Sequence, residues 1–232
     1  SLEEFKKTLI KYNICLEIIS SDSYKIFFEK LSLKKNFSIY WNRVYEPDYL
    51  NFDDWLSKNF KKNKIEFKIF KGNILNEFEE IKKNDGTPFK VFTPFWRRAE
   101  KFFSEKIPPK SKKISKCIKK ISFFKNTISE KEIYPKKNWF KKFEDYWIPS
   151  EENAFQELKK FIDDKIINYS ESRNYPNIFG TSKLSPYIKH GQLHVETIWE
   201  ECAKIKKKET SKFLAEIGWR EFNHSLINYF PY

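Results

Sequence analysis

Hydrophobic positions change their spacing several times along this chain. Leu2, Phe5, Leu9 and Ile10 recur at the spacing of one helical face, so Leu2 to Tyr12 predicts a helix. Cys15 to Ile19 is a short apolar run of strand length. Asp22 to Leu33 then predicts a helix, Phe37 to Trp41 a strand, Asp48 to Phe60 a helix, and Ile65 to Phe70 a strand of alternating apolar positions. Strands separated by helices predict parallel βαβ units, and hence a flavodoxin-like parallel sheet. Because the pattern opens on a helix, the first strand of that sheet is expected to be missing. Asn84-Asp85-Gly86-Thr87-Pro88 is a dense turn signal, after which Thr93-Pro94 starts a helix over Phe95 to Phe103 with proline in its first turn.

Periodicity decays beyond Lys106. Pro108-Pro109 is followed by Lys110, Lys112, Lys113, Lys116, Lys119 and Lys120 and then by aromatic patches around Trp139 and Trp147, which reads as a long basic linker over the surface. From Ser150 the signal is helical throughout. Ser150 with Asn153 starts a helix whose apolar face is Ala154, Leu158, Phe161, Ile162 and Ile166. Tyr169 to Gly180 reads as a loop, Leu184 to His190 as a short helix closed by Gly191, and Val195 to Ile205 and Thr210 to Phe230 as further helices. The expected organisation is α/β then all-α. Residues 1–105 form the α/β part, truncated at its N-terminus, 106–149 the linker, and 150–232 the beginning of a helical domain.

Composition narrows the function classes. With 40% hydrophobic and 19% aromatic residues a wholly disordered chain is excluded, and 45 Lys plus Arg against 32 Asp plus Glu give a net charge of +13. No run approaches the roughly 20 apolar residues of a membrane span and no start resembles a signal peptide, so a soluble, cytoplasmic protein without membrane contact is expected. The chain starts at Ser1 and contains no Met, which predicts an internal piece of a longer protein. Cys15, Cys117 and Cys202 are odd in number and widely spaced, and His190, His194 and His224 lack ligand neighbours at motif spacing. Neither a disulfide framework nor a metal site is therefore expected. Only five of the 45 basic residues are Arg: Arg43, Arg97, Arg98, Arg173 and Arg220. Guanidinium forks serve planar bidentate contacts, so an Arg retained in this background marks a site better than any Lys.

Two constellations carry chemistry. Thr181, Ser182 and Ser185 place hydroxyls and backbone N–H groups at a helix start, which suits a phosphate. Plain N-capping is the alternative. Glu216, Trp219 and Arg220 stand at i, i+3 and i+4, which predicts one shared helix face. A core Trp beside a solvated ion pair is the alternative there. No G-x-G-x-x-G and no P-loop occurs.

Three segments in order resemble the DNA photolyase and cryptochrome family across essentially the whole chain. Asp85-Gly86-Thr87-Pro88-Phe89-Lys90-Val91-Phe92-Thr93-Pro94-Phe95-Trp96 is similar to the segment closing the family's antenna-type α/β domain, with Asn42-Arg43-Val44-Tyr45-Glu46-Pro47 fitting upstream. Gly180-Thr181-Ser182-Lys183-Leu184-Ser185-Pro186-Tyr187 resembles its flavin-phosphate loop, and Glu216-Ile217-Gly218-Trp219-Arg220-Glu221-Phe222 its active-site helix. The resemblance is greatest to a bacterial class I cyclobutane pyrimidine dimer photolyase. It implies light-driven repair of pyrimidine dimers in DNA by electron transfer from reduced FAD, with a second antenna chromophore of folate or deazaflavin type. Tyr169, Thr181, Ser182, Lys183, Leu184, Ser185, Phe213 and Arg220 are then the FAD-binding residues, Lys183 standing where the family usually has Arg and Phe213 where it often has Trp. Glu216 and Trp219 are the catalytic residues, lining the cavity for a flipped-out dimer, a step that the family shares with other base-flipping enzymes. Arg173, Glu216, Trp219 and Arg220 contact DNA. The complete protein is expected to be a monomer and this piece alone inactive. A cryptochrome-type photoreceptor, and a basic nucleic-acid binder without cofactor, are the alternative readings.

Overall fold

A computed structural model describes residues 2–34, 36–106, 114–118, 122–125 and 127–231. Helix α1 (Leu2–Lys11) and helix α2 (Tyr24–Ser32) precede strand β1 (Ser38–Asn42), helix α3 (Pro47–Lys62) and strand β2 (Glu66–Phe70). Ser23 caps α2 by accepting from the Ile26 N–H at 3.1 Å, and Pro47 opens α3 with its backbone angle already set. β1 and β2 pair in parallel with Ile39 opposite Phe67 and Trp41 opposite Ile69. The crossover helix α3 covers Ile39, Trp41 and Phe67 with Leu56 and Phe60. The Trp41 indole stacks on Phe67 at 5.6 Å and donates to Asp53 Oδ1 at 2.9 Å.

The strand expected at Cys15 to Ile19 does not form. The segment is half-buried and has no ladder partner among the described residues. Its backbone is met by the linker: Cys117 N–H donates to the Tyr12 carbonyl and Ile128 N–H to that of Ile18, each at 2.9 Å. The Glu17 carboxylate accepts from the amides of Phe123 and Phe124. An apolar run makes a strand only where another strand offers matching donors and acceptors. Of the linker lysines, Lys116 is described and exposed, while Lys110, Lys112, Lys113, Lys119 and Lys120 lie outside the described residues. Among its described residues the linker also carries two short 3-10 turns, Glu130–Ile133 and Lys141–Asp145.

Helix α4 (Phe92–Glu105) leads out of the α/β part, and the helical part contains α5 (Glu151–Asp164), α6 (Tyr169–Ser172), α7 (Ser185–Lys189), α8 (Val195–Ala203) and α9 (Lys207–Tyr229). Ser150 caps α5 through the Asn153 N–H as its sequence position predicts. The expected loop Tyr169 to Gly180 begins as helix, because the 3-10 turn Ile166–Asn168 runs directly into α6, while α5 stops at Asp164, short of Ile166. Gly191 ends the turn after α7 with a φ of +71°, a left-handed conformation that glycine adopts without steric cost.

The main core joins Ala154, Leu158 and Phe161 of α5 to Val195, Ile198 and Cys202 of α8 and to Phe213, Leu214 and Ile217 of α9. Phe103 of α4 and Leu75 from the loop after β2 sit in the same core. A second seam runs between α4 and α9, where the Phe95 and Phe222 rings lie 5.2 Å apart. Gly218 makes that approach: a Cβ there would stand 2.3 Å from the Trp96 ring. Among the described residues no helix is long and apolar enough to cross a membrane.

Candidate functional site

One face of α9, carrying Phe213, Glu216, Ile217, Arg220 and His224, forms a wall of a cavity of about 400 Å³. These positions lie three, four, seven and eleven residues from the first, the period of a helical stripe. Tyr169 of α6, Ser182, Leu184 and Ser185 before and at the start of α7, and Ile188 and Lys189 within it form a second wall. The third wall draws on the Asn42 to Pro47 segment noted above, whose part in the cavity was not read from the sequence. It consists of Arg43 to Glu46 after β1 and Asn73 after β2. The cavity size falls in the range of small-molecule sites.

The aromatic end is preorganised. Tyr169 and Phe213 are buried, meet edge to face at 5.3 Å, and both rest on Phe161. Burial pushes the Tyr169 phenol upward, so it remains protonated at neutral pH. At the opposite end Lys189 Nζ lies 3.0 Å from Glu46 Oε1, bridging α7 to the β1 exit and holding the Glu46 carboxyl below its ordinary range. His224 is held below its ordinary value by burial and by the neighbouring Arg220 charge, and is therefore neutral at pH 7.

The hydroxyl loop does not cap α7. α7 receives no side-chain capping bond, and the Ser182 hydroxyl makes only a long 3.4 Å contact with the Leu184 N–H. Ser182 and Ser185 face the cavity. Thr181 and Lys183 are exposed and do not line it. Lys183 instead bends the loop with a φ of +54°, lays its ammonium over the Phe179 ring at 4.6 Å, and accepts from the Trp147 indole through its carbonyl at 3.5 Å. The side-chain direction that a helix start would give Lys183 is lost to that backbone turn.

Glu216 and Arg220 share the cavity face, but Trp219 does not. Successive helical residues diverge by about 100°, and the aromatic attraction of α4 decides which way Trp219 points. Its ring stacks on Phe92 at 3.8 Å and 9°, outside the cavity, and it is 43% exposed. The predicted common face of Glu216, Trp219 and Arg220 is thus divided. Arg173 is not a free surface cation. It is ion-paired with Glu216 at the cavity rim, with its guanidinium 5.5 Å from the Tyr169 ring centre, and Lys212 reaches the same carboxylate at 3.4 Å.

The loop Lys71 to Asn76 joins the sheet to this site. Asn73 donates to the Ile188 carbonyl at 2.8 Å and accepts from Val195 N–H at 2.9 Å. His194 Nε2 lies 3.2 Å from the Gly72 carbonyl while its Nδ1 accepts from the Glu196 N–H, which places the ring proton on Nε2. Lys71 pairs with Glu196. Gly72 permits the close approach in this loop, since a Cβ there would stand 2.1 Å from the Arg43 carbonyl oxygen.

Comparison with known proteins bears on the fold and the family. The family model described as DNA photolyase matches residues 1–112. A deoxyribodipyrimidine photo-lyase of Agrobacterium fabrum is 30% identical over 239 residues, covering 100% of this chain and 49% of its own length. Cryptochrome-1 of Arabidopsis thaliana is 25% identical, covering 100% of this chain and 36% of its own. The crystal structure of a bacterial class III photolyase from Agrobacterium tumefaciens superposes with a TM-score of 0.85 at 28% identity, over 100% of this chain and 49% of that one. That likeness is to class III, so the class I assignment is not retained. The chain spans about half the length of the Agrobacterium relatives it matches. With one relative 30% identical over the whole of this chain, and a shared fold, the chain is similar throughout to the DNA photolyase family.

Proposed function

We propose that the cavity against α9 holds FAD and that the chain serves light-driven splitting of cyclobutane pyrimidine dimers in DNA. The reading rests on one observation: Tyr169, Ser182, Ser185, Phe213 and Arg220, far apart in sequence, converge on a single cavity. When bound and reduced, the flavin supplies the photoexcited electron that opens the cyclobutane ring and is then returned. The residues present fit such a group. The Ser182 and Ser185 hydroxyls, without capping duties, donate to the diphosphate, and the Arg220 and Lys189 cations offset its charge. Tyr169 and Phe213 offer apolar ring edges and exclude water from that end. Glu216 accepts from a base edge at the rim, and Arg173, its partner in the free chain, turns to a backbone phosphate, which suits its fork. The exposed face of Trp219, supported by Phe92, meets DNA beside the flipped base and not inside the cavity.

Equilibrium dialysis of the chain against FAD tests the site. Replacing Ser182 and Ser185 together by Ala is expected to weaken binding about tenfold or more, the loss of two phosphate donors. Failure of the unaltered chain to bind FAD while still binding DNA would instead favour a basic nucleic-acid binder without cofactor. Illumination with dimer-containing DNA then tests the reaction. Because this piece alone is expected to be inactive, the complete protein is illuminated: loss of dimers only in the light supports repair, and bound flavin without any repair supports the cryptochrome-type photoreceptor reading.

A further inference from the structure

Arg220 and Glu221 are adjacent on α9, where neighbouring side chains normally point apart. Here Arg220 Nη1 nevertheless reaches back to Glu221 Oε1 at 2.9 Å. Glu221 is only 5% exposed, and its other oxygen accepts from the Leu75 N–H at 2.7 Å, with the Asn76 N–H also directed at the carboxylate. Leu75 itself is inserted in the helical core. Beside the carboxylate, Glu221, Ser225 and Asn76, whose Oδ1 is buried without a partner, line a void of about 10 Å³. That is room for at most one water, so solvent cannot replace the bonds if they break.

We propose that Glu221 is a positioning residue, whose carboxylate holds the Arg220 guanidinium in the cavity wall and locks it to the backbone of the loop after β2. The role in flavin binding rests on the function proposed above; the coupling of Arg220 to the loop does not. Only a carboxylate serves, because all three of its partners are donors and an amide would turn its own N–H groups toward one of them. Burial pushes the Glu221 carboxyl up to about 7, against the Arg220 charge. The other charged groups nearby are Glu77 across the void and Lys71 on the held loop, which is paired with Glu196. Phe95 is the contribution of α4 to the void, and His194 and His224, which face Arg220, are held neutral by burial. The hold on Arg220 therefore strengthens as pH rises through about 7 and relaxes below it.

The test uses the whole chain and NMR without cofactor. In E221Q, exchange of the Leu75 and Asn76 amides and of the Arg220 Nε–H is expected to accelerate about tenfold, with E221D restoring part of the protection. The wild-type Arg220 Nε–H signal should titrate with a midpoint about pH 7. FAD affinity should fall in E221Q, and R220K/E221Q should bind no more weakly than R220K, the mark of one shared function. Loosened Leu75 and Asn76 amides with an unchanged Arg220 signal would overturn the proposal, as would additive losses of affinity. If E221Q does not fold, an Arg220 signal in the wild type that is invariant from about pH 5 to 9 overturns it equally. A wild-type chain that binds no FAD yet shows the Arg220 titration refutes the flavin reading and leaves the coupling supported.

Discussion

The helical part and the sheet layer bury their apolar residues in different ways. In α5, α8 and α9 the core side chains are almost wholly enclosed, with Phe161, Leu158 and Ile198 at 1% exposure or less. Around β1 and β2, Leu56, Phe60 and Ile65 form a small enclosed cluster, and a ring of half-buried aromatics, Phe28, Trp41, Phe52, Trp55 and Phe67, surrounds them. Two paired strands have two open edges, so most of their side chains have neighbours on one side alone. The site follows the rigid region: four of its aromatic and hydroxyl residues stand on helices or helix starts, and the sheet contributes only the turns at its strand exits.

That contrast predicts unequal costs for removing an aromatic ring. Phe161→Ala should destabilise by about 3–5 kcal/mol, and Trp41→Ala, at a half-buried site, by about 1–2 kcal/mol. Phe161 also supports Tyr169 and Phe213, so FAD affinity should fall in the first variant and hold in the second. Urea unfolding of both checks this, and equal costs would erase the distinction between the regions.

The seam between the regions should respond to pH. Folded Glu221 takes up its proton near pH 7 and the unfolded chain near 4.5, so between them the folded state binds more protons. Its contribution is fully present below about pH 4.5 and is lost as pH rises through about 7, amounting to at most about 3 kcal/mol. His194 and His224, held low, act in the opposite sense as pH falls. The difference between wild type and E221Q isolates Glu221: the wild type should lose stability relative to the variant from pH 5 to 8. A pH-independent difference would show that the seam carries no such charge.

A smaller effect is expected from Gly218→Ala, about 1–3 kcal/mol, because the added methyl presses on the Trp96 ring and α4 must move. Near-UV circular dichroism should report the shift of the Trp96 environment along with it. Stabilisation by this change, as an ordinary helical glycine would give, would mean that α4 and α9 are not tightly apposed.

Much of the architecture follows from local pattern. The spacing of Leu158 and Phe161, the caps at Ser23 and Ser150, and the turn at Gly191 were legible because each depends on residues within a few positions of itself. So did the two strands that formed, and the stripe of α9 that holds Phe213, Glu216 and Arg220. Cys15 to Ile19 was not legible, since its state depends on whether another strand lies beside it. Trp219 was misplaced for a similar reason: helical spacing left its direction open, and Phe92, 127 positions earlier, settled it. Lys183 was turned away by its own left-handed backbone, and Arg173 was drawn to Glu216 across 43 positions. The roles of the third cavity wall, of Glu221 and of the loop it holds were not legible, because they lie in contacts between segments about 150 residues apart. Local sequence fixes the period and the ends of a helix; only the packing of other elements fixes which of its faces becomes a site.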